Sequence, residues 1–472
     1  MKQPQSHGSS HIKLPTLVLL VATCGCALSA QDTRPVKEPK IPPSCTILKA
    51  TMTSAGAASG EYEIRADRSG SDQTGLDTAR LQTAFDHCPG GNAVELAVDG
   101  ADNAFLITPV ALRPGVTLLI DKGVTLFASR NPESYAIKPG SCGVVNDAAA
   151  GCKPLITMRV ASGSAIMGDG TIDGQGGAGM FLDGQLSTKS WWALADQARS
   201  GGHAQAPRMI DTDLSDDVTL YHVRLLNSPD TNLVFHRGDG LTVWGARIDS
   251  PRAARNTDGI DLEQSKNITV TQSFIRVGNE NLDIKAGDGA TTNVSITHNH
   301  FYWGHGMSIG PATLSGVSQV RAQDLSIDGA DDGIHIRSGP NLGGLVDDIT
   351  YDDVCIRDAK DPISLDTAYS FPGKGAQNLP VYQDITLHDV RITGGGRIQF
   401  NGFDDTHRID VTLDGVLLLD RPDRYAAEAT HTDVTFGPGP VNLVLTGDDA
   451  TAKGKEMKGS LPGCGTKFVP FP

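Results

Sequence analysis

Two acidic residues set in similar surroundings are the first candidates for chemistry. Asp258 lies in Asn256-Thr257-Asp258-Gly259, and Glu280 in Gly278-Asn279-Glu280-Asn281-Leu282-Asp283-Ile284-Lys285. General acid–base work needs one carboxyl that keeps its proton and one that has lost it, and crowding like charges pushes two such groups apart in pKa. Asp283 adds a third carboxyl, on the same face as Lys285 and Asn281 if this stretch is a strand. His305 lies between Gly304 and Gly306 in Gly304-His305-Gly306-Met307-Ser308-Ile309-Gly310, where glycines let the backbone approach a ligand closely. His335 and Arg337, two positions apart in Gly333-Ile334-His335-Ile336-Arg337-Ser338, also share a face. Arg suits a carboxylate in bidentate fashion, and His adds charge at mildly acidic pH. Each has a plainer reading: Asp258 as a turn residue, Glu280 and Asp283 as solvated turn carboxyls, His305 as a buried structural histidine.

The elements that must position these residues show themselves as a repeat. A triplet of apolar, Thr or Ser, then apolar recurs as Val218-Thr219-Leu220, Leu241-Thr242-Val243, Ile268-Thr269-Val270 and Val294-Ser295-Ile296. It returns as Ile349-Thr350-Tyr351, Ile385-Thr386-Leu387 and Val411-Thr412-Leu413. Spacing of roughly 20 to 50 residues means a solenoid, propeller or array. The β-branched alternation and scattered Gly exclude helical repeats, and a propeller blade needs about 40 residues. An all-β parallel β-helix, several short strands to each coil, fits best; an ordinary β-sandwich is the alternative. Coils stack, so strands pair above and below and outward positions are free to carry chemistry. Asp258 and Glu280, 22 positions apart, then sit about one coil apart, roughly 5 Å at the backbone. A helix over Thr74 to His87, ended by Pro89-Gly90-Gly91, is expected to cap the first coil.

Composition sets limits on partners. The 472 residues carry a formal net charge of −15 with 20% charged residues, which argues against nucleic acid. A polyanionic partner would require a local basic patch, and Lys285, His335 and Arg337 supply one. Residues 1–30 read as an export signal: Lys2 and Lys13, an apolar run from Leu14 to Ala22, then small residues up to Ala30. That run is too short to span a bilayer, and the expected location is secreted or periplasmic. Cys24 or Cys26 offers a lipoprotein anchor as the alternative. Residues 31–60 read as a linker or ragged start, and 61–472 as the β-helix domain. Six cysteines remain beyond the signal, and an oxidising space favours disulfides. Cys142 with Cys152 is the easiest pair and Cys45 with Cys88 is plausible, among fifteen connectivities. No zinc motif, nucleotide loop or Gly-x-Ser-x-Gly is seen, so no cofactor or metal is expected, and a monomer is.

Four motifs, taken in order, resemble the polygalacturonases, glycoside hydrolases of family 28: the segments around Asp258, Glu280, His305 and Arg337 quoted above. Gly170-Thr171-Ile172-Asp173-Gly174-Gln175-Gly176 resembles the family's lead-in. The likeness covers roughly residues 60 to 440. It implies a right-handed parallel β-helix and single-displacement, inverting hydrolysis of α-1,4-linked galacturonate in pectin. It also implies three working aspartates, an assisting His and an Arg-Ile-Lys triplet for the sugar carboxylate. This chain departs from that pattern: Asn279 and Glu280 replace an adjacent aspartate pair, and His335-Ile336-Arg337 replaces Arg-Ile-Lys. An amide cannot protonate a leaving oxygen.

Inverting hydrolysis calls for two carboxyls ~6.5–9.5 Å apart. Three readings stay open: Glu280 is the proton donor (first choice), Asp283 is the donor, or hydrolysis is impaired and the protein only binds. Asn256 binds substrate or holds a turn, and Trp191 and Trp192 stack on a sugar or pack in the core. The Asn-Glu variation is loosely similar to rhamnogalacturonan-cleaving relatives, so a modified pectin is an alternative substrate. The competing classes are a lyase on the same fold, for which no Ca²⁺ cage is seen, and a non-catalytic carbohydrate-binding β-helix.

Overall fold

The computed structural model describes Met1 and residues 32–55, 63–65, 77–182, 184–369 and 378–472. The expected export signal therefore lies outside the described residues. The chain winds as a right-handed parallel β-helix. An 11-stranded sheet and a 21-stranded sheet form the coils, and three two-stranded sheets are added to them. We call the first two the short and the long sheet.

The triplets recognised in the sequence are one ladder of the long sheet. Val218, Leu241, Ile268, Val294, Val320, Ile349, Ile385 and Val411 stand directly beside one another, coil on coil. All are buried. Val320 escaped the pattern because Arg321 takes the Thr position. The residue ahead of all these triplets but the last turns the corner in the left-handed region: Asp217, Gly240, Asn267, Asn293, Gln319, Asp348 and Asp384 all have φ between 49° and 101°. Asn and Asp tolerate that conformation better than other side-chain-bearing residues. Asn267 and Asn293, each followed two positions on by Thr or Ser, therefore have a structural role. Their side chains also form a ladder, with Asn293 Nδ2 donating to Asn267 Oδ1 at 3.3 Å.

In the short sheet the inward rungs are equally apolar. Ile260, Leu282, Met307, Ile334, Ile363 and Ile398 form one and Leu262, Ile284, Ile309, Ile336, Leu365 and Phe400 the next. Alternation therefore forces the residues between them outward. The first coil is capped by a helix, Thr78–His87, which buries Leu81, Ala84 and Phe85. Asp77 precedes it, and its carboxylate accepts the Leu106 N–H at 2.8 Å.

The expected linker is no linker where it is described. Ser44–Lys49 is a strand paired with Ala93–Ala97. Residues 32–34 lie on the long sheet, where Thr269 Oγ1 donates to Asp32 at 2.8 Å and Arg34 donates to the Leu241 carbonyl at 2.7 Å. Pro-rich composition hid these contacts. Disulfides join Cys45 to Cys88, Cys142 to Cys152 and Cys355 to Cys464.

Candidate active site

The outward rungs of the short sheet, and the turns just ahead of its strands, bring the candidates together. Asp258, Glu280 and His305 each stand two positions ahead of an inward residue of one rung, Ile260, Leu282 and Met307. Backbone bonds between coils fix them in a column: Gly259 N donates to the Glu280 carbonyl at 2.8 Å, and His305 N to the Asn279 carbonyl at 2.9 Å. Asp332, which sequence reasoning missed, is the next member and accepts from His305 Nδ1 at 2.6 Å. The signal was present, since Asp332 also precedes a Gly and stands two ahead of Ile334. Glycines flank His305 because the coils are in contact there. A Cβ on Gly304 would lie 2.3 Å from the Asn279 carbonyl, and one on Gly306 2.2 Å from that of Gly333.

A second column, Asp261, Asp283, Ser308 and His335, lies in direct register beside the first. Glu263 and Lys285 head a third, with Arg337 two coils beyond. Asp261 and Glu263 are further residues the sequence reading passed over. The cations of the third column reach across the second. Lys285 Nζ lies 3.1 Å from both Asp261 and Asp283, and 4.0 Å from Asp258 and Glu263. Arg337 Nη2 donates to Glu280 Oε1. Tyr369 lies with its ring centroid 5.1 Å from that guanidinium. Asn279, at the altered position, donates its amide to Asp258 Oδ1 at 2.6 Å.

These contacts push the carboxyls in opposite directions. Burial, with Asp261 and Glu280 close by, raises Asp258 well above the carboxylate range. Burial also acts to raise Glu280, but Arg337, His305 and Lys285 overcome it and hold the group below its ordinary value. Asp283 is pushed up to about 7, mainly by burial, with Lys285 opposing. Burial would lower Lys285, yet Asp261, Asp283 and Asp258 lift it well above its usual value. His305 rises against burial through its bond to Asp332, whereas burial wins at His335 and lowers it.

Single oxygens of Asp258, Glu280 and Asp283 all lie within 4.8 Å of one another. This is closer than the expected 6.5–9.5 Å, because neighbouring rungs of parallel strands are only ~4.8 Å apart. Three such carboxyls could hold a cation, and among the described residues Lys285 and Arg337 supply positive charge there. One other expectation changes. Asn281 does not share the Asp283 face: it turns inward, its amide donating to the Ile275 and Tyr302 carbonyls at 2.9 and 3.0 Å. Trp191 is core, edge-on to Tyr135, and Trp192 donates to the Ser228 carbonyl at 2.9 Å. Asn256 holds a turn at φ 60°, ahead of Asp258.

The chain is thus a parallel β-helix that carries carboxyls and cations in rows along one outer face, a class of fold that does not by itself fix an activity. Comparison with known proteins narrows that class. Residues 94–434 match the profile of Glycosyl hydrolases family 28, and the chain belongs to that family of O-glycosyl hydrolases. It is 40% identical to an endo-polygalacturonase of Pectobacterium carotovorum subsp. carotovorum over 84% of this chain and 92% of that one. It is 33% identical to a polygalacturonase of Ralstonia nicotianae, over 92% of each. Among solved structures, polygalacturonase from Erwinia carotovora ssp. carotovora superposes with a TM-score of 0.73 at 38% identity, covering 91% of this chain and 99% of that one.

Proposed function

We propose that this protein, exported by its first thirty residues, hydrolyses the α-linked galacturonate backbone of pectin by single displacement. The polygalacturonase relatives support the substrate. The observation that carries the mechanism is a pair of neighbouring carboxyls in opposed surroundings: burial beside Asp261 and Glu280 raises Asp258, and the bond from Arg337 helps hold Glu280 below its ordinary value. Groups whose surroundings drive their pKa values apart are the natural acid and base.

Asp258 therefore gives its proton to the departing glycosidic oxygen, and Glu280 takes one from the water that attacks the anomeric carbon. This reverses the sequence-based preference for Glu280 as donor, which did not foresee the guanidinium. The short separation resembles that of a retaining pair. Glu280 is nonetheless a poor nucleophile, its side chain 4% exposed and bound to Arg337, whereas a water can reach a carboxylate that a sugar carbon cannot. His305, steadied by Asp332, lies beside Glu280 to orient that water or a sugar hydroxyl.

The test is residues 31–472 incubated with pectin, following reducing ends, ultraviolet absorbance and the anomer formed by NMR. Reducing ends without absorbance, in the inverted anomer, are expected. Unsaturated products would make the protein a lyase, and the retained anomer would make Glu280 a nucleophile. No release at all with binding intact would leave a carbohydrate-binding β-helix.

A further inference from the structure

A cavity of about 400 Å³ lies on the long sheet, against strands Lys266–Thr271 and Thr291–Tyr302. These strands belong to the coils that carry Asp258 and Glu280, but the cavity is on a different sheet from that site. Its volume is in the ~300–1,000 Å³ range of small-molecule sites. The floor is an outward ladder in which Trp244, Thr271, Thr297 and Gln323 stand beside one another, three steps of ~4.8 Å. The amino-terminal arm makes one wall, held down by Asp32, whose N–H donates to Ser295 Oγ at 2.9 Å. Gln272 and His298, corner residues at φ 52° and 56°, also line it.

The lining has what an acidic sugar needs. Trp244 is half-buried and offers an aromatic surface. Its Nε1–H and the side-chain amides of Gln272 and Gln323 make no hydrogen bond among the described residues, so they are available to sugar hydroxyls. In a chain of net charge −15, three basic residues line the cavity, Arg34, His298 and Arg321, against one carboxylate, Asp32. Arg34 is engaged by Asp32 at 2.8 Å. Arg321 gives Asp352 a single N–H at 2.6 Å, and its buried Nε has no partner among the described residues. His298 bonds Asp324 through Nδ1 at 2.5 Å and is 58% exposed. A guanidinium with unused N–H groups is suited to a carboxylate.

We infer that this cavity is a second carbohydrate site, holding a galacturonate-containing oligosaccharide with a ring on Trp244 and a carboxylate on Arg321 and His298. The identity of the sugar rests on the functional reading above. A polymer anchored here stays near the cleft, which raises the local concentration of bonds to be cut.

The probe is a galacturonate trimer, titrated calorimetrically into Asp258→Asn so that the ligand stays whole. Two equivalents should bind. Adding Trp244→Ala should leave one, and so should adding Gln323→Glu, a change of similar shape that sets a carboxylate against that of the sugar. In the wild-type background, Trp244→Ala should keep trimer hydrolysis within about twofold; if it fails to fold, Gln323→Glu decides. A single equivalent untouched by both changes would overturn the inference, as would two equivalents that neither change reduces. A neutral galactose trimer filling the same site as tightly would overturn the acidic ligand. An equivalent lost in both variants, in a protein that hydrolyses no galacturonan, would uphold the second site and sink the hydrolase reading instead.

Discussion

Two regions of the molecule treat charge in opposite ways: the candidate site on the short sheet and the part of the long sheet beneath the C-terminal tail. On the outer face of the long sheet, Asp249 stands directly beside Arg276 and Asp328 directly beside Arg357. Both pairs are forked, with Nε–O distances of 2.8 Å. The C-terminal tail lies over them: the Phe471 ring is 4.2 Å from the Arg276 guanidinium, the Phe468 ring 4.3 Å from that of Arg357, and Tyr302 donates to the Val469 carbonyl at 2.8 Å. On the short sheet, Asp261 stands directly beside Asp283, and Asp258 beside Glu280. Like charges placed opposite one another destabilise a sheet. At these positions the long sheet follows the rule for stability and the short sheet breaks it, at the candidate site; elsewhere the long sheet too sets Arg224 beside Arg247 and Asp410 beside Asp433.

Breaking the contrast at its strongest point means removing a charge from each face. Glu280→Gln or Asp258→Asn should lower the rate of hydrolysis by ~10²–10⁴-fold, the usual weight of a general acid or base. Asp249→Asn on the long sheet should leave the rate within about twofold and reduce stability instead. Reducing-end assays and thermal melts on the three variants check this. Equal losses of rate would mean that the short-sheet carboxyls act only through folding.

The tail gives the next largest effect, on stability alone. Cys355–Cys464 closes a loop of 109 positions and holds the tail whose Lys467 donates to Asp353 at 2.7 Å. Cys464→Ala should cost ~2–5 kcal/mol, read by denaturant melts, while the rate of hydrolysis at 25 °C stays as it was.

How much of this could be read from the sequence differs along the same line. The long-sheet ladder was legible because an apolar-Thr-apolar triplet leaves a mark at most coils; it was lost at Val320, where Arg321 broke the mark, and it was not followed to Val434-Thr435-Phe436, the next member. Asp258, Glu280, His305 and Arg337 were legible as types set at coil spacing. Their partnerships were not, because contact between coils depends on register and reach: nothing in the spacing says that Arg337 crosses two coils to Glu280. On the proposed mechanism, that single contact exchanges the acid and the base. The inward turn of Asn281 was equally hidden, since strand alternation was extended one residue beyond the strand, which starts at Leu282.

The crowded carboxyls also leave a thermodynamic trace. Asp283 titrates at about 7 in the folded chain against ~3.9 unfolded. A raised acid of this kind gives stability that is full below the unfolded pKa and is lost as pH rises through the folded one. Melting temperature should therefore fall between about pH 4 and pH 7. Asp283→Asn, which keeps the shape without the ionisation, should flatten that slope and gain on the order of 1 kcal/mol at neutral pH. A slope unchanged in the variant would place the pH dependence elsewhere, with Asp173 and Asp230, both pushed up to about 6 mainly by burial, as the next groups to replace.

The smallest change restores a carboxyl where the family has one. Asn279 lies 2.6 Å from Asp258, so Asn279→Asp would put another anion against the proposed donor and raise its pKa further. The alkaline limb of the pH–rate profile, set by loss of the Asp258 proton, should move up by about one unit. The acidic limb should stay, because it reports Glu280, whose charge is held by Arg337 rather than by residue 279. A profile that shifts as a whole would show that the two carboxyls titrate as a single coupled pair. A rise in rate of ~10²-fold or more would carry a different lesson: the donor belongs at position 279, and Asp258 serves only as a weak substitute.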